Sequence, residues 1–391
     1  MSDLRSANLA KYGFSTVAVH AGQAPSPKYG SVMTPIYATT TYAQEYPGEK
    51  EGFEYGRSFN PTREALEENL AALENGKFGI TFSSGCAATS AVVQMLKRNA
   101  KVLAVDDIYG GTYRLLTEIF EQQEINSIFY DLTKEDAGEV IKKEKPDVLW
   151  LESPTNPQLK VIDIEKLAKV AKSIGAIVVV DNTFASPVIQ KPLNLGADIV
   201  LHSTTKYIGG HSDVLGGALV VNDENLNDKL RYIQKRVGAV PSPFDCYLLL
   251  RSTKTLALRV ERQSQNALEF AKHFSKSKAT KRVIYPHYET HPQYQLAKKQ
   301  MSHGGGIVSV EFDATTETVN KFLKNLKLVT LAESLGAVES LVDHPATMTH
   351  ASIPKEEREA VGISDGLLRF SIGIEDINDI ISDIDYALSK V

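Results

Sequence analysis

The chain has 391 residues, 42% of them hydrophobic, enough to bury a large core and to form two domains plus an extension. Lys plus Arg at 43 against Asp plus Glu at 48 leaves a net charge of -5, and without any Lys/Arg block this argues against nucleic acid as a partner. No apolar run is long enough to span a bilayer, and Met1-Ser-Asp-Leu-Arg lacks the charged-then-apolar order of a signal peptide, so a cytoplasmic protein with no membrane partner is expected.

Residues 1–57 are rich in Pro, Tyr and Thr without sustained periodicity, and read as an arm that packs on something. From 58 to 256, apolar β-type runs alternate with helical patterns: Gly79-Ile-Thr-Phe, Val102-Leu-Ala-Val, Val148-Leu-Trp-Leu, Ile177-Val-Val-Val and Ile199-Val-Leu. Ile164, Leu167, Val170, Ala171 and Ile174 fall at helical spacing, and Gly175 ends that helix. Short apolar strands with helical crossovers predict an α/β domain whose sheet is mainly parallel and covered on both faces. Residues 257–391 alternate helices with strands such as Gly306-Ile-Val-Ser-Val-Glu-Phe and Leu368-Arg-Phe-Ser-Ile, the make-up of a smaller α/β domain. Cys86 and Cys246 are the two cysteines, without CxxC spacing, and nine scattered His residues form no HExxH pattern. Neither a disulfide framework nor a metal site is therefore expected.

Each of those strands hands over to a loop with useful chemistry. Val180-Asp181 ends one strand and Ser203-Thr-Thr205-Lys206 ends the next, placing a carboxylate, hydroxyls and an amine side by side. A lysine can form a Schiff base, a carboxylate can keep a pyridine nitrogen protonated, and hydroxyls can bind a phosphate, which together are the means of holding pyridoxal phosphate. An Asp and a Lys at neighbouring strand ends also occur by chance in α/β proteins. The other loops add to the pattern. Ser83-Ser-Gly85-Cys86 opens an Ala-rich helix whose free N–H groups can receive an anion. Tyr109, in Asp106-Asp-Ile-Tyr-Gly-Gly111, can stack on a flat ring, and two prolines stiffen Glu152-Ser-Pro-Thr-Asn156-Pro, which presents an amide. Any one of these is commonly a turn, a cap or a packed ring; all of them on one sheet edge are not.

The chain resembles the Cys/Met metabolism family of pyridoxal-phosphate enzymes, which includes the cystathionine lyases and synthases and methionine γ-lyase. The likeness runs nearly end to end through Phe53-Glu-Tyr55-Gly-Arg57-Ser-Phe-Asn-Pro-Thr-Arg63, the Asp106–Thr112 and Glu152–Pro157 runs, Val180-Asp-Asn-Thr-Phe184 and Ser203-Thr-Thr-Lys-Tyr-Ile-Gly-Gly-His-Ser-Asp213. Gly238-Ala-Val-Pro-Ser-Pro243 and Leu331-Ala-Glu-Ser-Leu-Gly336 complete it. The resemblance implies the fold type I architecture and pyridoxal 5'-phosphate as cofactor. It implies Lys206 as the Schiff-base lysine, Asp181 as partner of the pyridine nitrogen and Tyr109 as stacking ring. The phosphate would be held by the Gly85 and Cys86 amides and the Ser203 and Thr205 hydroxyls. Tyr55 and Arg57 would reach the phosphate of a neighbouring subunit, in a homotetramer whose paired chains share active sites. Arg369, aided by Asn156 and Ser334, would bind the substrate carboxylate, for which a planar guanidinium is suited. Taken singly, Arg57, Arg63 and Arg369 would more often be surface ion-pair residues, and Cys86 departs from the aliphatic residue common at its position.

On this resemblance the freed Lys206 takes the α-proton, and Tyr109 protonates the departing thiolate, its pKa lowered by a positive charge nearby. Tyr109-Gly110-Gly111-Thr112 lacks the Cys usual beside this Tyr in methionine γ-lyases. Glu333 matches a Glu of γ-lyases and γ-synthases that can receive the distal ammonium of cystathionine, where β-lyases tend to have an aromatic. The expectation is cleavage of L-cystathionine to cysteine, 2-oxobutanoate and ammonia, with γ-synthase second, then methionine γ-lyase or cystathionine β-lyase. Two readings from other classes stand beside it. Ser203-Thr-Thr-Lys206 is formally the Ser-x-x-Lys of penicillin-recognising hydrolases, but its Lys-Thr-Gly and Ser-Asp-Asn partners are missing. A non-catalytic scaffold would have no need to keep Lys206, Asp181, Tyr109 and Arg369 together.

Overall fold

A computed structural model describes residues 11–26, 28–48, 52–349, 351 and 355–391. Seven strands form the larger sheet: β1 (Phe78–Phe82), β2 (Lys101–Val105), β3 (Asn126–Tyr130), β4 (Val148–Glu152), β5 (Ile177–Asp181), β6 (Ile199–Ser203) and β7 (Gly217–Val221). Their order is β1-β7-β6-β5-β4-β2-β3. All the pairs from β6 to β3 are parallel, whereas β7 is antiparallel to both β1 and β6, so it is the one reversed strand of a mainly parallel sheet. β4 and β7 are buried at every position, as strands covered on both faces should be. Two strands of this sheet escaped the sequence reading. β3 is a partly exposed edge with no continuous apolar run, and the direction of β7 is set by pairing with β1 and β6 across the chain, which no local pattern encodes.

Several helices start where a side chain satisfies their free N–H groups. Asn60 caps Pro61–Leu73 by accepting from the Thr62 and Arg63 N–H groups, with Pro61 in the first position. Asp163 caps Ile164–Ser173 through the Lys166 N–H, its Ile164, Leu167, Ala168 and Ala171 are buried, and Gly175 leaves the helix at φ +80°. The arm is less featureless than its composition suggests. It contains the helix Phe14–His20, whose Val17 and Ala18 pack in one core with Leu66 and Leu70. Arg63, far from being a surface residue, is buried and donates to the Gly56 carbonyl at 2.9 Å and the Arg57 carbonyl at 3.3 Å, which pins the arm.

The second sheet contains β8 (Thr280–Ile284), β9 (Ile307–Phe312), β10 (Thr330–Leu331), β11 (Leu341–Asp343) and β12 (Leu367–Ser371), in the order β10-β11-β12-β9-β8. Phe270 packs on Phe274 and Phe370 with ring centroids 4.5 and 5.0 Å apart, seating the helix Leu256–Phe274 on this sheet. From the same helix, buried Arg259 donates to the Tyr207 carbonyl at 2.6 Å and to the Ser252 carbonyl at 2.9 Å. That bond ties the second sheet to the loop carrying Lys206. Among the described residues no helix is long and apolar enough to cross a membrane.

Candidate active site

A cavity of about 360 Å³ opens at the carboxyl ends of the parallel strands, where open α/β sheets offer loop backbone and side chains to ligands. β4 delivers Glu152, β5 delivers Asp181, and β6 delivers Ser203 with Thr205 and Lys206 behind it. Gly85 and Cys86 begin the helix Gly85–Gln94 on the cavity wall, and the Ser84 hydroxyl caps that helix by accepting from the Ala87 N–H at 3.1 Å. The early amides are thus left free, and the helix dipole adds positive potential there. Ser203 and Thr205 line the same wall, the Thr205 hydroxyl bonding with the backbone of Gly216.

The Lys206 amine donates to the Ser334 hydroxyl at 3.2 Å. Burial and the nearby Arg369 charge push it down to about 8, so it loses its proton far more easily than an exposed lysine. Gly336, at φ +77°, lets the Ser334 segment approach: a side chain there would meet the Tyr207 N at 2.7 Å. Asp181 is buried, and its Oδ1 accepts from the Thr183 N–H at 3.0 Å. Burial raises its pKa, while the Thr183 hydrogen bonds and the His202 charge pull the other way. The Thr183 hydroxyl in turn accepts from the Ser203 N–H at 2.9 Å, fixing the two strand ends to each other.

On the opposite wall Arg369 is buried, donating from Nη1 to Asn156 Oδ1 at 2.7 Å and from Nη2 to the Ser334 carbonyl at 3.4 Å. Asp343 Oδ2 lies 3.5 Å away. Burial lowers the Arg369 pKa and raises that of Asp343, and the charge of each partly offsets the shift of the other. The Arg369 Nε is buried without a partner in the chain, which leaves donor capacity for a carboxylate. Exposed Glu333 lies at the cavity beside Ser334.

Tyr109 lines the cavity, and a side chain at Gly111 would meet its ring at 2.3 Å, so the glycine is what lets the ring lie there. Burial raises the Tyr109 pKa, and the charge of Arg114 pulls the other way. Tyr109 is therefore a protonated phenol at neutral pH, fit to give a proton rather than to take one. Tyr55 and Arg57 do not line the cavity. Tyr55 is 45% exposed, and Arg57 stacks over its ring at 5.6 Å while donating to the Lys235 carbonyl.

The cavity also holds residues that sequence reasoning passed over: Thr112, Arg114, Glu152, Thr183, Met348 and Thr349. Thr183 stood within the Val180–Phe184 run already noted, and Arg114 lies two residues past the Asp106–Thr112 run. Met348 and Thr349 arrive from the distant C-terminal part, for which no local signal exists. Among the described residues no group of three His, Cys, Asp or Glu side chains is placed to hold a metal ion.

Free helix amides, hydroxyls, a buried carboxylate, a depressed lysine and an aromatic ring on one cavity fit a flat, phosphorylated, aldehyde-bearing heterocycle. Fold and donor set together define a fold type I pyridoxal-phosphate enzyme. The chain belongs to the family described as Cys/Met metabolism PLP-dependent enzymes, whose pattern matches residues 15–389, and its cofactor is pyridoxal phosphate. It is 48% identical over 383 residues to a cystathionine β-lyase of Coxiella burnetii, covering 97% of this chain and 99% of that protein. It is 47% identical over 380 residues to a cystathionine γ-lyase of Dictyostelium discoideum, covering 97% and 98%. The crystal structure of a cystathionine γ-synthase from Xanthomonas oryzae pv. oryzae, in complex with aminoacrylate and cysteine, superposes with a TM-score of 0.94 at 41% identity, covering 97% and 98% of the two chains. The family thus shown includes both lyases and a synthase.

Proposed function

We propose that this enzyme cleaves the γ C–S bond of L-cystathionine, taking up water and releasing L-cysteine, 2-oxobutanoate and ammonia. The observation that carries this reading is the charge layout of the cavity. Two arginines line it, Arg369 buried and Arg114 exposed, together with the exposed carboxylate of Glu333. Cystathionine has an amino acid group at each end, so it presents a carboxylate to each arginine and a distal ammonium to Glu333. Pyridoxal phosphate, when bound, supplies an electron sink that stabilises negative charge at Cα. The chain supplies the rest. Lys206 is the attachment point and, once released, the base that takes the Cα proton, a task suited to an amine depressed to about 8. Asp181 keeps the ring nitrogen protonated. Gly85 and Cys86 amides with Ser203 and Thr205 hydroxyls hold the phosphate, and Tyr109 stacks on the ring and gives its proton to the departing thiolate. Arg369, with Asn156 and Ser334, fixes the α-carboxylate.

The wider organisation belongs to the same proposal: an arm at 1–57, a cofactor domain at 58–256, a C-terminal domain at 257–391, and a cytoplasmic homotetramer in which Tyr55 and Arg57 serve a neighbouring chain's phosphate. Exposed Tyr29, Val32, Phe59, Tyr232 and Phe244 support burial against another subunit. Cys86 and Cys246 are both free thiols, which suits a reducing compartment. A γ-synthase reading is favoured by the Xanthomonas structure, and it uses the same residues to replace the γ-substituent of an O-acylhomoserine. The reactions part company in their products. Supplied with L-cystathionine alone, the enzyme should release 2-oxobutanoate and cysteine in equal amounts; pyruvate with homocysteine would mean β-cleavage and end the proposal.

A further inference from the structure

Glu152 takes no part in the roles given above, yet it is held in the middle of them. It ends β4, and the β4–β5 register sets it directly beside Asp181 at the end of β5. Both side chains are buried and both line the cavity. Glu152 Oε2 accepts from the Tyr109 N–H at 2.9 Å, whereas its Oε1 is buried with no partner. Asp181 is better supplied, with the Thr183 N–H on Oδ1 and the His202 charge behind it; His202 is itself 2.5 Å from buried Glu74. Two carboxylates side by side in a buried site do not both ionise at neutral pH, and the proton settles on the one with fewer donors. An ionised Glu152 would also leave a buried, charged oxygen with nothing to bind, which costs more than burying a neutral acid.

We propose that Glu152 is a positioning residue that keeps its proton at neutral pH, leaving Asp181 to carry the negative charge of the strand-end pair while Glu152 anchors the Tyr109 loop. The groups facing it agree. Burial is the largest influence and acts upward, the charges of Asp181 on β5 and Asp107 beyond β2 act the same way, and the Tyr109 N–H and Arg369 on β12 act downward. The anchoring role couples the stacking ring to the cofactor-nitrogen carboxylate through one side chain. That consequence rests on the proposed role of Asp181; the proton on Glu152 does not.

The test is an infrared difference spectrum of the holoenzyme at neutral pH, wild type against Glu152→Gln. Loss of a protonated-carboxyl C=O stretch is expected, and loss of a carboxylate band pair would overturn the proposal; if the Gln variant does not fold, Glu152→Ala gives the same comparison. Cofactor dissociation then reads the anchoring. Glu152→Gln keeps an acceptor for the Tyr109 N–H and should stay within about twofold of wild type, whereas Glu152→Ala should bind about tenfold more weakly, the loss typical of one buried hydrogen bond. Equal affinity of the Ala variant and wild type would sink the positioning role. A lost C=O stretch in Glu152→Gln beside unchanged cofactor affinity in Asp181→Asn would support the proton on Glu152 and overturn only the role given to Asp181.

Discussion

The Lys206 amine changes charge at about 8 in the folded chain against an ordinary value of 10.5. Below pH 8 both folded and unfolded states are protonated, and the cost of burying the cation is fully present. Between about 8 and 10.5 the folded state sheds its proton first, so the unfolded chain binds more protons and stability rises with pH. Replacing Lys206 by Met should therefore raise the melting temperature of the cofactor-free protein below pH 8, by on the order of a few degrees, with the gap closing toward pH 10.5. Calorimetry would detect the opposite case as two parallel pH curves. Glu333 is tested by selectivity. Loss of a partly solvated ion pair is worth about 1 kcal/mol, so Glu333→Ala should lower kcat/KM for L-cystathionine roughly fivefold. L-Homocysteine, which lacks the distal ammonium, should be spared; equal losses on both would remove Glu333 from substrate reading. Most residues of the site were legible because each follows a short apolar run directly. Glu152 was visible in Glu152-Ser-Pro-Thr-Asn-Pro157, but its neighbour Asp181 is 29 positions on, and only the β4–β5 register brings the two carboxyls together.

At the scale of elements, the helix Gly85–Gln94 and the β6 loop are pressed together at the proposed phosphate site. A Cβ on Gly85 would lie 2.9 Å from the Ser203 Cβ and 3.1 Å from its hydroxyl, too close to keep both in place. Gly85→Ala should push the helix N-terminus off the loop and weaken cofactor binding about tenfold, the size of a modest overpacking strain. Titrating the cofactor-free variant with pyridoxal phosphate measures it directly, and unchanged affinity would place the phosphate elsewhere. Of the five strands read from the sequence, β2, β4, β5 and β6 lie inside the sheet, where cover on both faces makes them continuous apolar runs; β1 is an edge strand, yet buried at its last four positions. β3 gave no such signal, since its edge position leaves it half wet, and the antiparallel setting of β7 follows from partners more than a hundred residues away in β1.

The whole molecule brings Arg369, Ser334 and Glu333 from the second sheet over Lys206 and Asp181 of the first, a meeting held partly by Arg259 reaching from the helix Leu256–Phe274 to the Tyr207 carbonyl. No local pattern in the chain encodes that closure; the likeness to a known family supplied it. Assembly is the matching open end, because Arg57 is engaged with Lys235 of its own chain and absent from its own cavity. If it serves a neighbour, mixing Arg57→Ala with Lys206→Ala subunits should restore part of the activity through hybrid sites. Verified subunit exchange with no recovery would count against a shared site.

All of this turns on Lys206 being the residue that carries the cofactor. Reducing the holoenzyme with borohydride and mapping the labelled peptide by mass spectrometry should place the pyridoxyl group on Lys206, and Lys206→Ala should lose both the label and the visible absorption while remaining folded. A pyridoxyl group recovered on any other lysine would contradict the account.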